Sequence, residues 1–554
     1  MFESTSEKFM KNRLIVNPTT DDFRDAVAAE VFVDKSELIH YTNSVMNTPQ
    51  KLTCFSRPRR FGKTFAAQML KSYYTRGLDS SDVFSNLKVA HPTEVDEVRR
   101  ERKRMLFKKY QNQCDVILWD MVWFLSDARV DGQPECVLEK LRDLTFKELK
   151  AVFPEEFDDS ITGMAPQLMS IALKTGRKFF IIIDEWDAIF REAMCSDALK
   201  DAYLNLLRGL FKGNYVSAFI SGAYLTGILP IKKYGTQSAL TDFNEFTMLA
   251  PYTLAPFVGF TEDEVVTLCR NRGIDLGKMR QWYDGYCFAK TAHVFNPNSV
   301  VKAVNNDQFD SYWTQTAAFE SLKLYLDMGF QGIREAIVDM LGGNRFAVDK
   351  DTFTNDLSIV KSRNDVFTVL VHLGYLAYDE SNGTVAIPNE EIRREFVRAV
   401  ENGGRPELVK AIELSDRLLK ATLREDAPAV AAIIEELHNS NTAPLFYNDE
   451  QALCSVVVLG YLGAVDHYRR FEEIDAGRGR IDVLMWPREG AELPPVIIEL
   501  KWNRTAASAV EKIRRRNYPA VVEKLGRHRE VLLVGISYDT ETRKHDCTIE
   551  RLQL

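Results

Sequence analysis

Short apolar runs closed by polar or acidic residues alternate with helical periodicity over roughly the first 250 positions of this 554-residue chain. The clearest run is Phe179-Phe180-Ile181-Ile182-Ile183, which ends in Asp184-Glu185. An unbroken run of this kind reads as a parallel strand buried on both faces, delivering two carboxylates to the C-terminal edge of its sheet. Val116–Leu118 and Val216–Ser221 read as further strands, the second leading towards Tyr224 and Thr226. Another strand-like stretch ends near Phe55-Ser56, and a helical pattern resumes at Phe65-Ala66-Ala67-Gln68-Met69-Leu70. Strands interleaved with helices predict a mostly parallel sheet wrapped by helices.

From about 251 to 445 the pattern is mainly helical. Within it Val366–His372, then Tyr375–Tyr378 and Thr384–Ile387 around Ser381-Asn382-Gly383, could form a winged helix or simply pack. Asn439–Phe446, with Pro444, is the best linker, and Gln451–Tyr461 beyond it reads as a helix. Two strands follow, Arg480-Ile481-Asp482-Val483-Leu484 and Ile497-Ile498-Glu499-Leu500-Lys501. Successive strand side chains point to opposite faces, so Glu499 and Lys501 share one face while Ile498 and Leu500 pack beneath. If the strands form a hairpin, Asp482 meets that pair. The expected fold is α/β in three parts: 1–250 around the parallel sheet, 251–445 mainly helical with a candidate winged helix, and 446–554 a smaller α/β domain.

Gly62-Lys63-Thr64 sits where the early strand turns into its helix. At such a turn, backbone N–H groups and the helix N-terminus cradle phosphates, Lys63 reaches the outer phosphates and Thr64 coordinates Mg²⁺. The usual pattern places a glycine five residues before Gly62, where this chain has Arg57. Asp184 would hold Mg²⁺ through water, and Glu185 would activate the attacking water. Polar residues near Tyr224 and Thr226 could sense the γ-phosphate. Arg59 and Arg60 either contact phosphate, act in trans on a neighbour's nucleotide, or cap and solvate the loop.

The loop Arg57-Pro58-Arg59-Arg60-Phe61-Gly62-Lys63-Thr64 resembles that of the predicted AAA-like ATPases. Phe32-Val33-Asp34-Lys35-Ser36-Glu37-Leu38-Ile39, Ile183-Asp184-Glu185-Trp186-Asp187, Trp282-Tyr283-Asp284-Gly285-Tyr286 and Phe295-Asn296-Pro297-Asn298-Ser299 resemble further signatures of that family. So do Leu373-Gly374-Tyr375-Leu376 and Ile387-Pro388-Asn389-Glu390-Glu391. The resemblance implies ATP and Mg²⁺ at a P-loop ATPase domain. It also implies a homo-oligomer completed by a neighbour's arginine, with Arg59, Arg60 and Arg191 as nominees.

Asp482, Glu499 and Lys501 form an Asp…Glu-x-Lys set. Two carboxylates offer hard oxygens to Mg²⁺, and a lysine beside them can orient water or stabilise developing charge. The same pattern also arises from ordinary solvated strands. Here the chain resembles the PD-(D/E)XK nuclease superfamily, in the small domain that ends many bacterial predicted ATPases. The resemblance makes Asp482 and Glu499 ligands of Mg²⁺ or Mn²⁺, Lys501 the catalytic lysine, and Glu450 an extra acidic ligand from its helix. Tyr518 matches an accessory tyrosine of the family, but Lys512 stands nearest to where a glutamine is often found.

Composition narrows the setting. The net charge of −8 argues against coating nucleic acid along the whole length, yet 501–529 holds nine Lys/Arg and two Glu. Such a stretch suits a phosphate-backbone track. Arg514-Arg515-Arg516 lies on a helix expected to end near Asn517, because Pro519 disfavours helix at the residue before it. A second basic run, 99–104, reads first as a solvated helix face and otherwise as a nucleic-acid or oligomer contact. No apolar stretch approaches the ~18 residues that cross a bilayer, so no membrane partner is expected. Eight cysteines without CxxC pairs point to a reducing cytoplasm. The expected function is an ATPase with a metal-dependent nuclease domain acting on nucleic acid, with DNA favoured over RNA by the resemblance. Two rivals stay open: a nucleotide-controlled switch or nucleic-acid-binding protein whose nuclease-like domain is inactive, and an ATPase that only remodels partners.

Overall fold

The computed structural model describes residues 13–192, 194–231, 240, 242–288, 291–313, 333–341, 344–350, 360, 362–402, 406–441, 450–461, 464, 467–475, 479–488, 492–526 and 528–554. They gather into two compact units, Met1–Asp310 with Val348–Val385, and Ser311–Ala347 with Ala386–Leu554. The proposed linker lies largely outside the described residues; Asn439–Asn441 continue a helix that begins at Ala427.

The first unit holds a five-stranded parallel sheet made of β1 (Leu52–Ser56), β2 (Asp115–Asp120), β3 (Phe179–Asp184), β4 (Ile220–Gly227) and β5 (Asn244–Phe246). Its order is β2-β3-β4-β1-β5. Every residue of β3 is buried, as its unbroken apolar run requires. Ile181, Ile183 and the neighbouring strands pack against the helices Val137–Val152, Met164–Thr175 and Asp197–Phe211. The order has one consequence for chemistry. The strand leading to the phosphate loop and the strand carrying Asp184 are not neighbours, because β4 lies between them.

Two expectations need correction. The strand read at Val216–Ser221 begins only at Ile220, where pairing with Phe179 starts. Val216–Phe219 is a helical turn whose amides are satisfied locally, as in the bond from Ala218 N to the Tyr215 carbonyl at 2.9 Å. The stretch after 251 also contains an antiparallel sheet of β6 (Phe260–Thr261), β7 (Tyr286–Phe288) and β8 (Thr291–Phe295), in the order β6-β8-β7. Strands of two to five residues are too short to print a readable alternation. The helix-plus-hairpin element does form: the helix Arg363–Leu373 precedes strands Ala377–Asp379 and Thr384–Ala386.

The Asp34-Lys35-Ser36 signature acts as a clamp. Asp34 accepts from Ser36 N and Lys88 N, and Ser36 Oγ accepts from Val89 N. The buried Lys35 ammonium donates to the Pro256 carbonyl at 2.7 Å and pairs with Glu264. Glu264 in turn closes the capping box of Thr261, so this signature braces the small sheet.

In the second unit, five strands run in the order Tyr468–Asp475, Arg480–Pro487, Val496–Trp502, Glu530–Asp539 and Lys544–Gln553, with one parallel pair in the middle. Helices Pro406–Leu423, Ala427–Asn441 and Glu450–Gly460 cover one face through Leu418, Ile434 and Val457. Helices Ala506–Arg515 and Pro519–Leu525 cover the other through Val510, Ile513 and Val522. Gly535, paired with Glu499, permits the close approach of that second layer: a Cβ there would lie 2.2 Å from the Ala506 carbonyl oxygen. Gly535→Ala must therefore push the helix off the sheet. It should cost about 1–3 kcal/mol by overpacking, seen as an earlier urea midpoint for this unit; an unchanged midpoint contradicts the packing described.

Candidate functional site

β1 ends at Ser56, and the chain turns through Arg57–Gly62 into the helix Lys63–Tyr74. Arg60 and Gly62 both take positive φ, 68° and 90°, which turns the loop backbone around the helix N-terminus. Lys63 is buried; its ammonium donates to the Pro58 carbonyl at 3.0 Å and lies 3.2 Å from Glu185. Thr64 is exposed, one residue beyond Lys63, and close enough to act on the Asp184 carboxyl. The loop and the acidic strand end, 120 residues apart in sequence, therefore meet as expected.

Three interactions that the sequence does not announce complete this edge. Thr226, at the end of the intervening β4, donates to Asp184 and supports the Glu185 amide at 3.4 Å. Arg191 pairs with both Glu185 and Asp187 and is about nine-tenths buried. It thus pairs with two acids of its own chain. Asp187 accepts from Ile228 N and Leu229 N at 3.1 and 2.8 Å, fixing the turn after β4 rather than facing the loop. Burial raises Asp184 against the bond from Thr226 and the nearby Thr64 hydroxyl, which lower it. Burial also pushes on Glu185, but Lys63 and Arg191 outweigh it and hold that carboxyl below its ordinary value. Arg59 is exposed within electrostatic reach of Glu185, and Arg60 is half-buried.

Arg57 fills the place of the missing glycine in an unusual way. It is fully buried, with its guanidinium 4.5 Å from the Phe55 ring centre and 5.2 Å from that of Phe288 on β7. Nη1 donates to the Ser56 carbonyl at 2.9 Å, whereas Nε and Nη2 have no hydrogen-bond partner. Burial pushes Arg57 down to about 9. Phe61 meets Tyr286 edge-on at 5.2 Å. The Trp282–Tyr286 signature thus runs from the end of the helix Leu276–Tyr283 into β7, whose Tyr286 and Phe288 pack against the phosphate loop.

The C-terminal set assembles on one strand pair. Pairing between the Asp482 and Glu499 strands runs antiparallel from Met485↔Val496 to Val483↔Ile498. The Asp482 carboxylate then accepts from Leu500 N at 2.7 Å. Glu499 is fully buried; one oxygen accepts from Lys501 at 2.8 Å and from Lys512 of the helix Ala506–Arg515, while Oε2 has no partner among the described residues. Tyr518 donates to the Arg480 carbonyl at 2.7 Å, tying the chain beyond that helix to the Asp482 strand. Burial first, then the charge of Glu499, pushes Asp482 up to about 6. Glu450 opens the helix Glu450–Gly460, but its side chain lies outside the described residues.

Two carboxylates with an orphaned buried oxygen suit a hard divalent cation. Among the described residues no group of three or more His, Cys, Asp or Glu is placed to hold a metal, so the described donor set is this pair. Of the basic stretch, Arg504, Arg515 and Arg516 are exposed, and Arg514 pairs with Glu550. The run at 99–104 lies on the exposed helix Glu97–Tyr110, where Arg99, Arg100 and Arg104 pair with acids one turn away. All eight cysteines are free, and no described helix is long and apolar enough to cross a membrane.

A parallel sheet with a phosphate loop at its edge, followed by a mixed sheet carrying Asp, Glu and Lys, defines a class of two-part protein. Residues 19–236 match the model of the predicted AAA-ATPase family, and residues 449–547 match that of the PD-(D/E)XK nuclease superfamily. The chain joins a domain of each. It is also similar to an uncharacterized protein in the vnfD 5′ region of Azotobacter chroococcum mcd 1, 20% identical over 395 residues, which span 66% of this chain and 70% of that one. Among solved structures it is similar to Cdc6p from Pyrobaculum aerophilum, with 11% identity and a TM-score of 0.24 over 70% of this chain and 99% of that one.

Two outcomes follow from this geometry. Thr226→Ala removes the hydroxyl that holds Asp184, and should lower ATP turnover at least about tenfold, ~1.4 kcal/mol, while fluorescent nucleotide still binds; undiminished turnover contradicts a role for that bond. Asp482→Asn concerns stability. With Asp482 near 6 in the folded state, against the usual carboxylate range, its charge destabilises the fold above that pH, and the cost fades as pH falls through 6 to 4. The asparagine variant should gain about 1–3 kcal/mol at pH 8 and little at pH 4, read from urea midpoints at both.

Proposed function

We propose that the chain is an ATP-hydrolysing protein whose C-terminal domain cleaves phosphodiester bonds of nucleic acid, with DNA as substrate, under nucleotide control. The observation that carries the nuclease reading is Glu499: a buried carboxylate with one oxygen held by lysines and the other unpartnered, beside Asp482. A protein that buries such a group without further use incurs a desolvation cost for nothing.

In the first domain, the loop backbone around Gly62 cradles the phosphates and Lys63 turns from Glu185 to the outer ones. Arg59, exposed on the same loop, adds positive charge there, and Arg60 contributes from the next position. Thr64 and Asp184, within reach of each other at the loop, are the groups that would hold Mg²⁺. Glu185, kept ionised by Lys63 and Arg191, accepts the proton of the attacking water. Thr226 holds Asp184 in register with both. A homo-oligomer that supplies a further arginine is part of this reading, with Arg59 the exposed nominee.

In the second domain, Asp482 and Glu499 would hold Mg²⁺ or Mn²⁺, with Glu450 as a third acid. The cation, when bound, polarises the phosphate and lowers the pKa of its water. Lys501 orients the attacking water on the shared strand face. Exposed Arg515 and Arg516, one turn beyond Lys512, receive the phosphate backbone. Free cysteines agree with work in a reducing cytoplasm.

The test is cleavage of circular single- and double-stranded DNA with Mn²⁺, with and without ATP. Glu499→Ala and Asp482→Ala should abolish cutting and leave ATP hydrolysis intact, whereas Lys63→Ala should abolish hydrolysis. Loss of cutting in Lys63→Ala as well places cleavage under nucleotide control. Cutting that survives Glu499→Ala refutes the assignment, and no cutting by the native chain with ATP still hydrolysed favours the switch protein.

A further inference from the structure

Lys512 departs from the superfamily's accessory glutamine, and its placement gives the departure a physical meaning. The helix that carries it is pressed onto the sheet at Gly535, and the chain just beyond it is tied down by Tyr518 to the Arg480 carbonyl. The Lys512 ammonium consequently reaches the same Glu499 oxygen that Lys501 holds at 2.8 Å. Asp482 is also within electrostatic reach of both lysines. The cluster therefore contains two carboxylates balanced by two ammonium groups, with Glu499 fully buried.

A divalent cation approaching the unpartnered Glu499 oxygen meets charge that is already neutralised, and ammonium groups on the other oxygen of the same carboxylate. Repulsion between cations a few ångströms apart is large where solvent is scarce. A glutamine in the same place would impose no such repulsion. Resting on the nuclease reading above, we infer that Lys512 is a built-in competitor for the metal: its ammonium holds one oxygen of the Glu499 carboxylate, opposes a divalent cation at the other, and must swing away before that cation is held tightly. Lys512 is about a quarter exposed, and its stem gives it room to swing outward. A nucleic-acid phosphate is the counter-charge that would receive it, which couples metal binding to substrate binding. The consequence is a nuclease site that holds metal weakly until a phosphodiester backbone is present.

The experiment is calorimetric titration of Mn²⁺ into the full chain at pH 8, with Glu499→Gln identifying the heat that belongs to this site. Lys512→Gln should bind Mn²⁺ at least about tenfold more tightly than the native chain, ~1.4 kcal/mol. Lys512→Met keeps the aliphatic stem without the charge and should show the same gain, so the test survives if one variant folds poorly. Lys512→Arg retains the charge and should stay near the native affinity. Equal or weaker binding by both uncharged variants overturns the role of Lys512 while leaving the metal site in place. Absence of any Glu499-dependent binding in all four proteins overturns this inference and the nuclease reading together.

Discussion

Lys63 reaches Glu185 at the carboxyl edge of a largely apolar sheet, and Lys501 with Lys512 reaches Glu499 in the middle of a strand of the second unit. In each case a buried strand carries acids that water cannot reach freely. Such carboxylates persist only if cations and amides take over the work of solvent. The loop, the helix after it and the neighbouring strand are arranged around that need. Thr226 and Thr64 serve Asp184, Lys63 and Arg191 serve Glu185, and backbone amides serve Asp187 and Asp482. Catalytic potential and structural necessity are thus the same set of contacts.

The balance of burial against partners sorts acids that look alike in the sequence. Asp184, Glu185 and Asp187 occupy four consecutive positions, yet only the first two face the phosphate loop. Asp187 is spent on the turn after β4, and Arg191 neutralises it from the same short helix. A motif therefore marks a place in the fold without saying which of its acids meets substrate.

Much of this was legible from residues alone, for reasons that differ along the chain. The unbroken apolar run of β3 reads as a buried strand, and Gly62-Lys63-Thr64 after a strand-like stretch reads as a turn into a helix. The alternation at 497–501 set which of its residues share a face. What escaped depended on distance. β6 to β8 are too short to register a period, and Val216–Phe219 has strand-like composition but local turn bonding. The pairing of Arg191 was hidden because nothing nearby in sequence shows Asp187 pointing back at it. The contact of Lys512 with Glu499 hangs on Gly535, on a different strand, which admits the helix.

Arg57 has a mechanical consequence. Phosphate loops with glycine at that position move without dragging a side chain through the core. Here the loop's first residue is wedged between Phe55 and Phe288, so the loop is anchored to the small sheet. Any movement that reshapes the loop at Arg57 must unseat a buried guanidinium or carry β7 with it. The shape of the loop at Arg57 is thereby tied to the position of a strand built from residues more than two hundred places downstream.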